Sequence, residues 1–199
     1  AATGARVRSG LPPSGSGPRP PVLLGDGSTL WVGGPFDGAR VDGSPGRRSV
    51  LKLDARTGRL DPAFDPRLNG PVRGLARGED RLYVSGRFTR VGELRRRNLA
   101  AVETAAGAAV AAFEPGSAPA AGVTGLERLG EDLLLTGEAA TLRAYDLEGG
   151  PVPRTVKGAS RVSATAPGAG DSQLVAGVLR RSSPSGSGRS HGVVLPPRG

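Results

Sequence analysis

One short pattern recurs four times along this chain: an apolar run that ends in glycine. The copies lie at residues 30–34, 82–86, 133–137 and 174–177, so the closing glycines are 52, 51 and then 40 residues apart. A period of this length among β-rich segments is typical of one four-stranded propeller blade, not of a helical repeat. The sequence therefore predicts an all-β fold, a β-propeller of about four antiparallel blade units.

Other landmarks recur in the same phase. Each glycine pattern is preceded by another apolar stretch and a Gly/Asp or Gly/Glu turn, which is typical of a tight hairpin. A third strand is predicted at residues 50–53, 99–102, 142–145 and 193–195, and a poorer fourth strand at 60–64, 110–113 and around Val152. An acid followed four residues later by glycine predicts a turn closed by a glycine of positive φ. These pairs are Asp54 with Gly58, Glu103 with Gly107, and Asp146 with Gly150.

The 199 residues are predicted to form a single repeat domain, residues 1–199. Its units are expected at about residues 22–71, 72–122, 123–161 and 162–199. Residues 1–10 copy the phase of a fourth strand, which leaves two alternatives open. Either this segment completes the last blade and closes a four-blade ring, which would remove exposed sheet edges, or the chain is a fragment of a larger propeller.

Composition argues against several kinds of active site. Without cysteine there is no disulfide, thiolate metal site or cysteine nucleophile, and the one histidine, His191, is predicted in a solvated Ser/Gly/Arg loop. Asp61 and Asp65 are interpreted as turn residues beside proline. We therefore predict no catalytic residue, no metal site and no cofactor. The aromatic residues on the repeated apolar phase are expected in the core: Trp31, Tyr83 and Tyr145.

Two stretches of the second unit carry a family resemblance. Residues 81–92 read RLYVSGRFTRVG and residues 97–103 read RNLAAVE. This pattern resembles the delta-60 type β-propeller repeats of high-GC bacteria, and the resemblance implies a secreted or surface module without an agreed activity. The chain is more distantly similar to kelch and quinoprotein blades, through the Asp54-x-x-Thr57-Gly58 turn. Pro62 or Ala111 stands where those blades have tryptophan, which argues against quinone binding.

Charge is predicted to differ between the two faces of the disk. Hairpins that join strands one to two and three to four share one face, and the two-to-three loops and the links between blades share the other. The first set of turns is acidic, with Asp26, Glu79, Asp80, Glu131, Asp132 and Asp171 in the one-to-two turns and Asp54, Glu103, Asp146 and Glu148 in the three-to-four turns. The two-to-three loops hold Arg40, Arg47, Arg48, Arg87, Arg90, Arg95, Arg96, Arg97, Arg180, Arg181 and Arg189, and the links add Arg8, Arg19, Arg67, Arg154 and Lys157. The formal net charge of +9 is therefore expected to concentrate on one face.

The functional hypothesis is a non-enzymatic binding or interaction scaffold whose basic loops bind an anionic polysaccharide, a wall polyanion or an acidic protein. The ligand-binding residues predicted for it are Arg47, Arg48, Arg90, Arg95, Arg96 and Arg97. Nucleic acid is disfavoured because no aromatic residues alternate with the arginines, and no apolar run predicts a membrane span. The location expected is extracellular or at the cell surface, and the oligomeric state is open.

Two alternatives remain beside this hypothesis. The arginines could reflect GC-rich coding DNA, and the acids the general preference of aspartate for turns. The propeller could also be part of a larger secreted enzyme, hydrolase or quinoprotein-like, whose catalytic residues lie outside this chain.

Overall fold

The structure is a computed structural model. It describes residues 21–36, 46–116, 123–129, 132–137, 141–157, 159–167, 173–179 and 189–195. These residues form antiparallel strands and turns, without helix. Within them, no helix has the length and apolar character needed to cross a membrane.

The strands form four meandering sheets, one for each predicted unit. Sheet 1 contains β1 (Val22–Asp26), β2 (Thr29–Gly33) and β3 (Val50–Asp54), and sheet 2 contains β4 (Val72–Arg77), β5 (Arg81–Gly86) and β8 (Leu99–Glu103). Between β5 and β8, a small hairpin is formed by β6 (Arg90–Val91) and β7 (Leu94–Arg95). Sheet 3 contains β9 (Val123–Leu129), β10 (Asp132–Gly137), β11 (Thr141–Asp146) and β12 (Pro151–Lys157). Sheet 4 contains β13 (Ala159–Pro167), β14 (Gln173–Leu179) and β15 (Arg189–Leu195). The predicted first three strands of every unit are confirmed.

Successive sheets pack face to face through their first strands, with β1 beside β4, β4 beside β9, and β9 beside β13. Trp31 and Val50 of sheet 1 pack with Leu82 and Val84 of sheet 2 in one core cluster. A second cluster joins the opposite face of sheet 2 to sheet 3, and Tyr83 and Tyr145 are both buried in it. Trp31, Tyr83 and Tyr145 are therefore core residues, as predicted.

The predicted fourth strands of the first two units are wrong as strands. Each is reduced to one bridge, Leu53 with Leu60 and Val102 with Ala109, whereas sheet 3 has a full fourth strand in β12. After Leu60 the backbone turns, because the Asp61 carboxylate accepts a hydrogen bond from the Ala63 N–H at 3.0 Å. Pro62 lacks an N–H and cannot donate to a ladder.

The segment after each bridge brings a phenylalanine into the core instead. Phe64 joins the cluster between sheets 1 and 2, and Phe113 joins the cluster between sheets 2 and 3. Both rings have 0% exposure. The centroid of the Phe113 ring lies 5.5 Å from that of Tyr83. The sequence Phe-acid-Pro, at residues 64–66 and 113–115, therefore fills the space between blades.

In the second blade, the repeated glycine of the second strand is required by a close backbone approach. A Cβ on Gly86 would clash with the Pro71 carbonyl oxygen, so no larger residue fits without movement of the backbone. The acid-to-glycine turns are confirmed at Gly58 (φ 71°) and Gly107 (φ 78°). In the third unit the positive φ belongs to Gly149 (96°) instead of Gly150.

Two further predictions from the sequence are wrong, and a third concerns residues outside those that the structure describes. His191 is not in a loop: it belongs to β15, where it pairs with Gly177, because the ladder continues beyond the apolar run that marked the strand. Arg154 and Lys157 lie in β12, not in a link between blades. Residues 1–10, and with them the predicted closing strand, lie outside the described residues.

Candidate functional site

The six arginines predicted to bind a ligand fall into two groups. Arg47 and Arg96 have side chains that are only 10% and 11% exposed. The other four are exposed residues: Arg48, Arg90, Arg95 and Arg97. The two groups of arginines therefore differ in how accessible their side chains are to a ligand.

Arg47 is tied to the end of its own blade. Its Nη2 donates to the Pro62 carbonyl oxygen at 2.6 Å, and its Nη1 lies 3.7 Å from the Asp65 carboxylate. Charge-assisted hydrogen bonds of this kind are stronger than neutral ones. The guanidinium therefore fixes the two-to-three loop of the first unit against the segment that carries Phe64.

Arg96 repeats the carbonyl and carboxylate contacts of Arg47 in the second unit and adds a hydrogen bond from its Nε, whereas the Arg47 Nε is buried without a partner. Its Nη2 donates to the Ala111 carbonyl oxygen at 2.8 Å and its Nε to that of Phe113 at 3.0 Å. Its Nη1 lies 3.7 Å from Glu114. We call Arg47 and Arg96 the latch arginines. Their structural contacts were missed at the level of sequence, although the signal is present: each precedes a second arginine and lies 15 residues before Pro62 or Ala111.

The exposed arginines of the second unit cluster on the β6–β7 hairpin. Arg90 and Arg95 are directly opposite each other in its ladder, and Val91 pairs with Leu94. Gly92 makes the turn with a φ of 53°. Like charges directly opposite on a two-stranded ribbon are destabilising. The hairpin places two arginines opposite each other, and the Arg90 guanidinium donates to the Glu93 carbonyl at 3.1 Å.

The hairpin has a defined base. The Asn69 side-chain oxygen accepts hydrogen bonds from the Thr89 and Arg90 N–H groups, both at 2.9 Å. Val91 is fully buried and bridges to Leu68. The Arg96 backbone N–H donates to the Thr89 carbonyl at 3.1 Å, which continues the pairing beyond β7. The arginines thus project from an anchored loop.

One acid partly neutralises this cluster. Glu93 lies 3.8 Å from Arg90 and 4.0 Å from Arg67, and its side chain is 84% exposed. Neither Arg95 nor Arg97 has an ion-pair partner among the described residues. Because such exposed pairs are weak, four arginines present a net positive patch. We call this patch the hairpin patch: Arg67, Arg90, Arg95 and Arg97.

The opposite face of the disk carries both signs. Asp26 pairs with Arg77 at 2.7 Å, and the Arg77 guanidinium also lies over the Trp31 ring, 5.3 Å from its centroid. Asp80 lies 3.5 Å from Arg81. Arginines at strand ends therefore accompany the predicted acidic turns. The assignment of charges to faces from the sequence counted only loop residues, so it left these arginines out.

Asp61 and Asp65 are turn residues, as interpreted from the sequence. Asp61 forms an ion pair with Lys52 at 2.8 Å, and this hydrogen bond lowers the pKa of the Asp61 carboxyl. The Asp65 carboxylate accepts the Arg67 N–H at 3.3 Å. Both carboxylates thus form contacts with neighbouring groups of the chain.

Other titratable groups have structural explanations as well. The Thr57 hydroxyl and N–H, which donate to Asp54 at 2.7 and 2.6 Å, lower the pKa of that carboxyl. Burial raises the pKa of Tyr83, whose hydroxyl donates to the Leu147 carbonyl at 3.1 Å. Burial also raises the pKa of Glu127. In the part of the chain that is described, no three His, Cys, Asp or Glu residues are grouped so as to hold a metal ion.

Several solved structures share this architecture. A gluconolactonase from Xanthomonas campestris aligns with 79% of this chain at 19% identity and a TM-score of 0.52. The Pan2 WD40 domain of Neurospora crassa aligns with 88% at 13% identity, and the RRP9 WD40 repeats with 79% at 20%, both with a TM-score of 0.50. The chain therefore has a β-propeller fold, and its four sheets are propeller blades.

These likenesses extend to the fold and no further. The chain spans 54%, 61% and 44% of the lengths of the gluconolactonase, Pan2 and RRP9 chains. No protein-family model matches the sequence, and no curated protein matches it. Membership of the delta-60 repeat family thus stays a prediction from the residues that resemble it.

Proposed function

We propose that this protein is a non-enzymatic β-propeller scaffold whose two-to-three loop face binds an anionic polymer. The observation that carries the proposal is the pair Arg90 and Arg95, held directly opposite each other on an anchored hairpin. A like-charged pair costs stability in the unbound protein. A carboxylate, sulfate or phosphate placed between the two guanidinium groups would relieve that repulsion.

The neighbouring charges support a polymer, not a single small anion. Arg97 follows the hairpin, and Arg67 approaches its turn, where the Gly92 N–H donates to the Arg67 carbonyl at 3.2 Å. An arginine guanidinium group binds a carboxylate or phosphate through two parallel hydrogen bonds. Several such guanidinium groups on one loop face suit a polymer that carries repeated negative groups. An acidic polysaccharide or wall polymer, met outside the cell or at its surface, fits this description.

The latch arginines are left out of this binding surface. Arg47 and Arg96 direct their guanidinium groups to backbone carbonyls of their own blades, and that role accounts for their burial. The proposed binding residues among the six are therefore the exposed ones: Arg48, Arg90, Arg95 and Arg97.

The test compares two double variants on an immobilised sulfated or carboxylated polysaccharide. Arg95→Gln with Arg97→Gln removes two charges from the loop face, and Arg56→Gln with Arg59→Gln removes two exposed charges from the opposite face. We expect the first to weaken binding at least about tenfold, as the loss of about 1.4 kcal/mol does. The control should bind as the unchanged protein does. Equal loss in both, or no binding to any polyanion at low salt, would contradict the proposal.

A further inference from the structure

The carboxylate of Glu93 lies between two guanidinium groups that come from different parts of the chain. Its Oε2 is 3.8 Å from the Nη2 of Arg90, on the same hairpin. Its Oε1 is 4.0 Å from the Nη1 of Arg67, in the segment that leads into sheet 2. Each guanidinium group therefore lies nearest to a different oxygen of one carboxylate. A carboxylate from outside the chain would bind two arginines in the same way.

The backbone holds these three side chains at one place. Gly92 and Glu93 form the two-residue turn of the β6–β7 hairpin, and of these two only Gly92 has a positive φ, at 53°. A glycine in the first position of such a turn closes a tight hairpin. The Gly92 N–H donates to the Arg67 carbonyl at 3.2 Å, and the Arg90 Nη2 donates to the Glu93 carbonyl at 3.1 Å. Both arginines are thus held beside the turn that carries Glu93.

The contact that Glu93 makes with the two arginines is weak. Both N–O distances are longer than the roughly 2.7 to 2.9 Å of a charge-assisted hydrogen bond, so the carboxylate is held by charge without a hydrogen bond. The Glu93 side chain is 84% exposed, and exposed ion pairs contribute little. A carboxylate that approaches both guanidinium groups to hydrogen-bonding distance therefore binds them more strongly and displaces the Glu93 side chain into solvent.

We propose that Arg67 and Arg90 form a subsite for one carboxylate of the ligand, and that Glu93 occupies this subsite in the unbound protein. The inference rests on the proposed function, since it concerns how the anionic polymer is bound. It narrows the polymer to one that carries carboxylates, such as a polyuronate, and it adds Arg67 to the binding residues. Glu93 is then an internal competitor, which lowers the affinity below the value that the arginines alone would give.

Glu93→Gln tests this competition, with Glu103→Gln as the matched control. Both substitutions remove one exposed carboxylate, but Glu103 ends β8, on the opposite face of the disk. The affinity for an oligogalacturonate is measured by calorimetry at low salt. We expect the Glu93 variant to bind at least about threefold more tightly than the unchanged protein, because two weak ion pairs no longer compete. Its slope of log affinity against log salt should be steeper by about one. The Glu103 variant should match the unchanged protein in both respects.

A second set of variants locates the subsite at Arg67. In an Arg67→Gln background, the gain from Glu93→Gln should fall below about twofold, because one of the two arginines for which Glu93 competes is gone. In an Arg59→Gln background, which removes an exposed arginine of the opposite face, the full gain should remain. The same gain in both backgrounds would overturn the assignment of Arg67.

The other outcomes separate the subsite from the proposed function. If the unchanged protein binds oligogalacturonate and the Glu93 variant binds it equally well, the subsite is overturned and the proposed function stands. An equal gain in the Glu103 variant, or a gain confined to dextran sulfate, would also overturn a carboxylate subsite at Glu93. If neither the unchanged protein nor the Glu93 variant binds either polymer, the proposed function is overturned, and the subsite with it.

Discussion

Arg47 and Arg96 occupy equivalent positions in successive blades, and each uses Nη2 to donate to a backbone carbonyl 15 residues further along the chain. The acceptors belong to the segments that carry Phe64 and Phe113. Each latch therefore holds a two-to-three loop and an interblade phenylalanine in fixed relation. The repeat conserves this charged contact within the chain while the surrounding loop residues differ.

Removal of a latch should destabilise the fold. Arg96→Gln takes away hydrogen bonds from a cationic donor to the Ala111 and Phe113 carbonyls, so we expect a loss of about 1.5 to 3 kcal/mol in the free energy of unfolding. Arg95→Gln, at an exposed neighbour, should change it by less than about 0.5 kcal/mol. Urea denaturation measures both. Equal small effects would show that the latch contributes nothing measurable.

Truncation of an interblade phenylalanine should cost more. Phe64→Ala leaves a cavity between sheets 1 and 2, and we expect a loss of about 3 to 5 kcal/mol. Leu23→Ala is the control, because it shortens an apolar side chain that is 62% exposed. Urea denaturation of both variants makes the comparison. A Phe64 variant as stable as the control would contradict the role assigned to this ring.

Acid should weaken the fold partly through Asp61. The Lys52 ammonium lowers the pKa of the Asp61 carboxyl below its ordinary value of 3.8, so the folded state binds this proton less readily than the unfolded state. The stability from the pair is therefore fully present above pH 3.8 and is lost as the pH falls through the lower, folded pKa. Asp61→Asn should flatten this part of the curve of unfolding free energy against pH. An unchanged slope in the variant would show that the pair is uncoupled from folding.

The strand order was predictable because the repeat encodes it locally. Apolar alternation and Gly/Asp turns mark the first three strands of each unit without knowledge of distant contacts. The fourth strand failed at residues 60–64 because the Asp61 carboxylate accepts a hydrogen bond from the Ala63 N–H, which turns the backbone, and because Pro62 has no N–H to donate to a ladder. His191 was misplaced for the converse reason: a polar residue was carried into β15 by its ladder with β14.

The candidate site was only partly predictable. Loop position correctly grouped Arg90 with Arg95, since they belong to one hairpin. It could not separate them from Arg96, because the sequence gives the charge of a guanidinium but not the carbonyls within its reach. That distinction depends on the turn that follows the blade, where Phe113 enters the core. A search for the arginine at a fixed distance before Phe-acid-Pro would have found both latches.

The salt dependence of polyanion affinity tests the proposed function most directly. Binding through several arginines should weaken steeply as salt screens and displaces the ionic contacts, and the slope of log affinity against log salt should fall by about two in the Arg95→Gln, Arg97→Gln variant. The Arg56→Gln, Arg59→Gln variant should keep the slope of the unchanged protein. An affinity that does not respond to salt, or the same loss of slope in both variants, would contradict a binding surface on the hairpin patch.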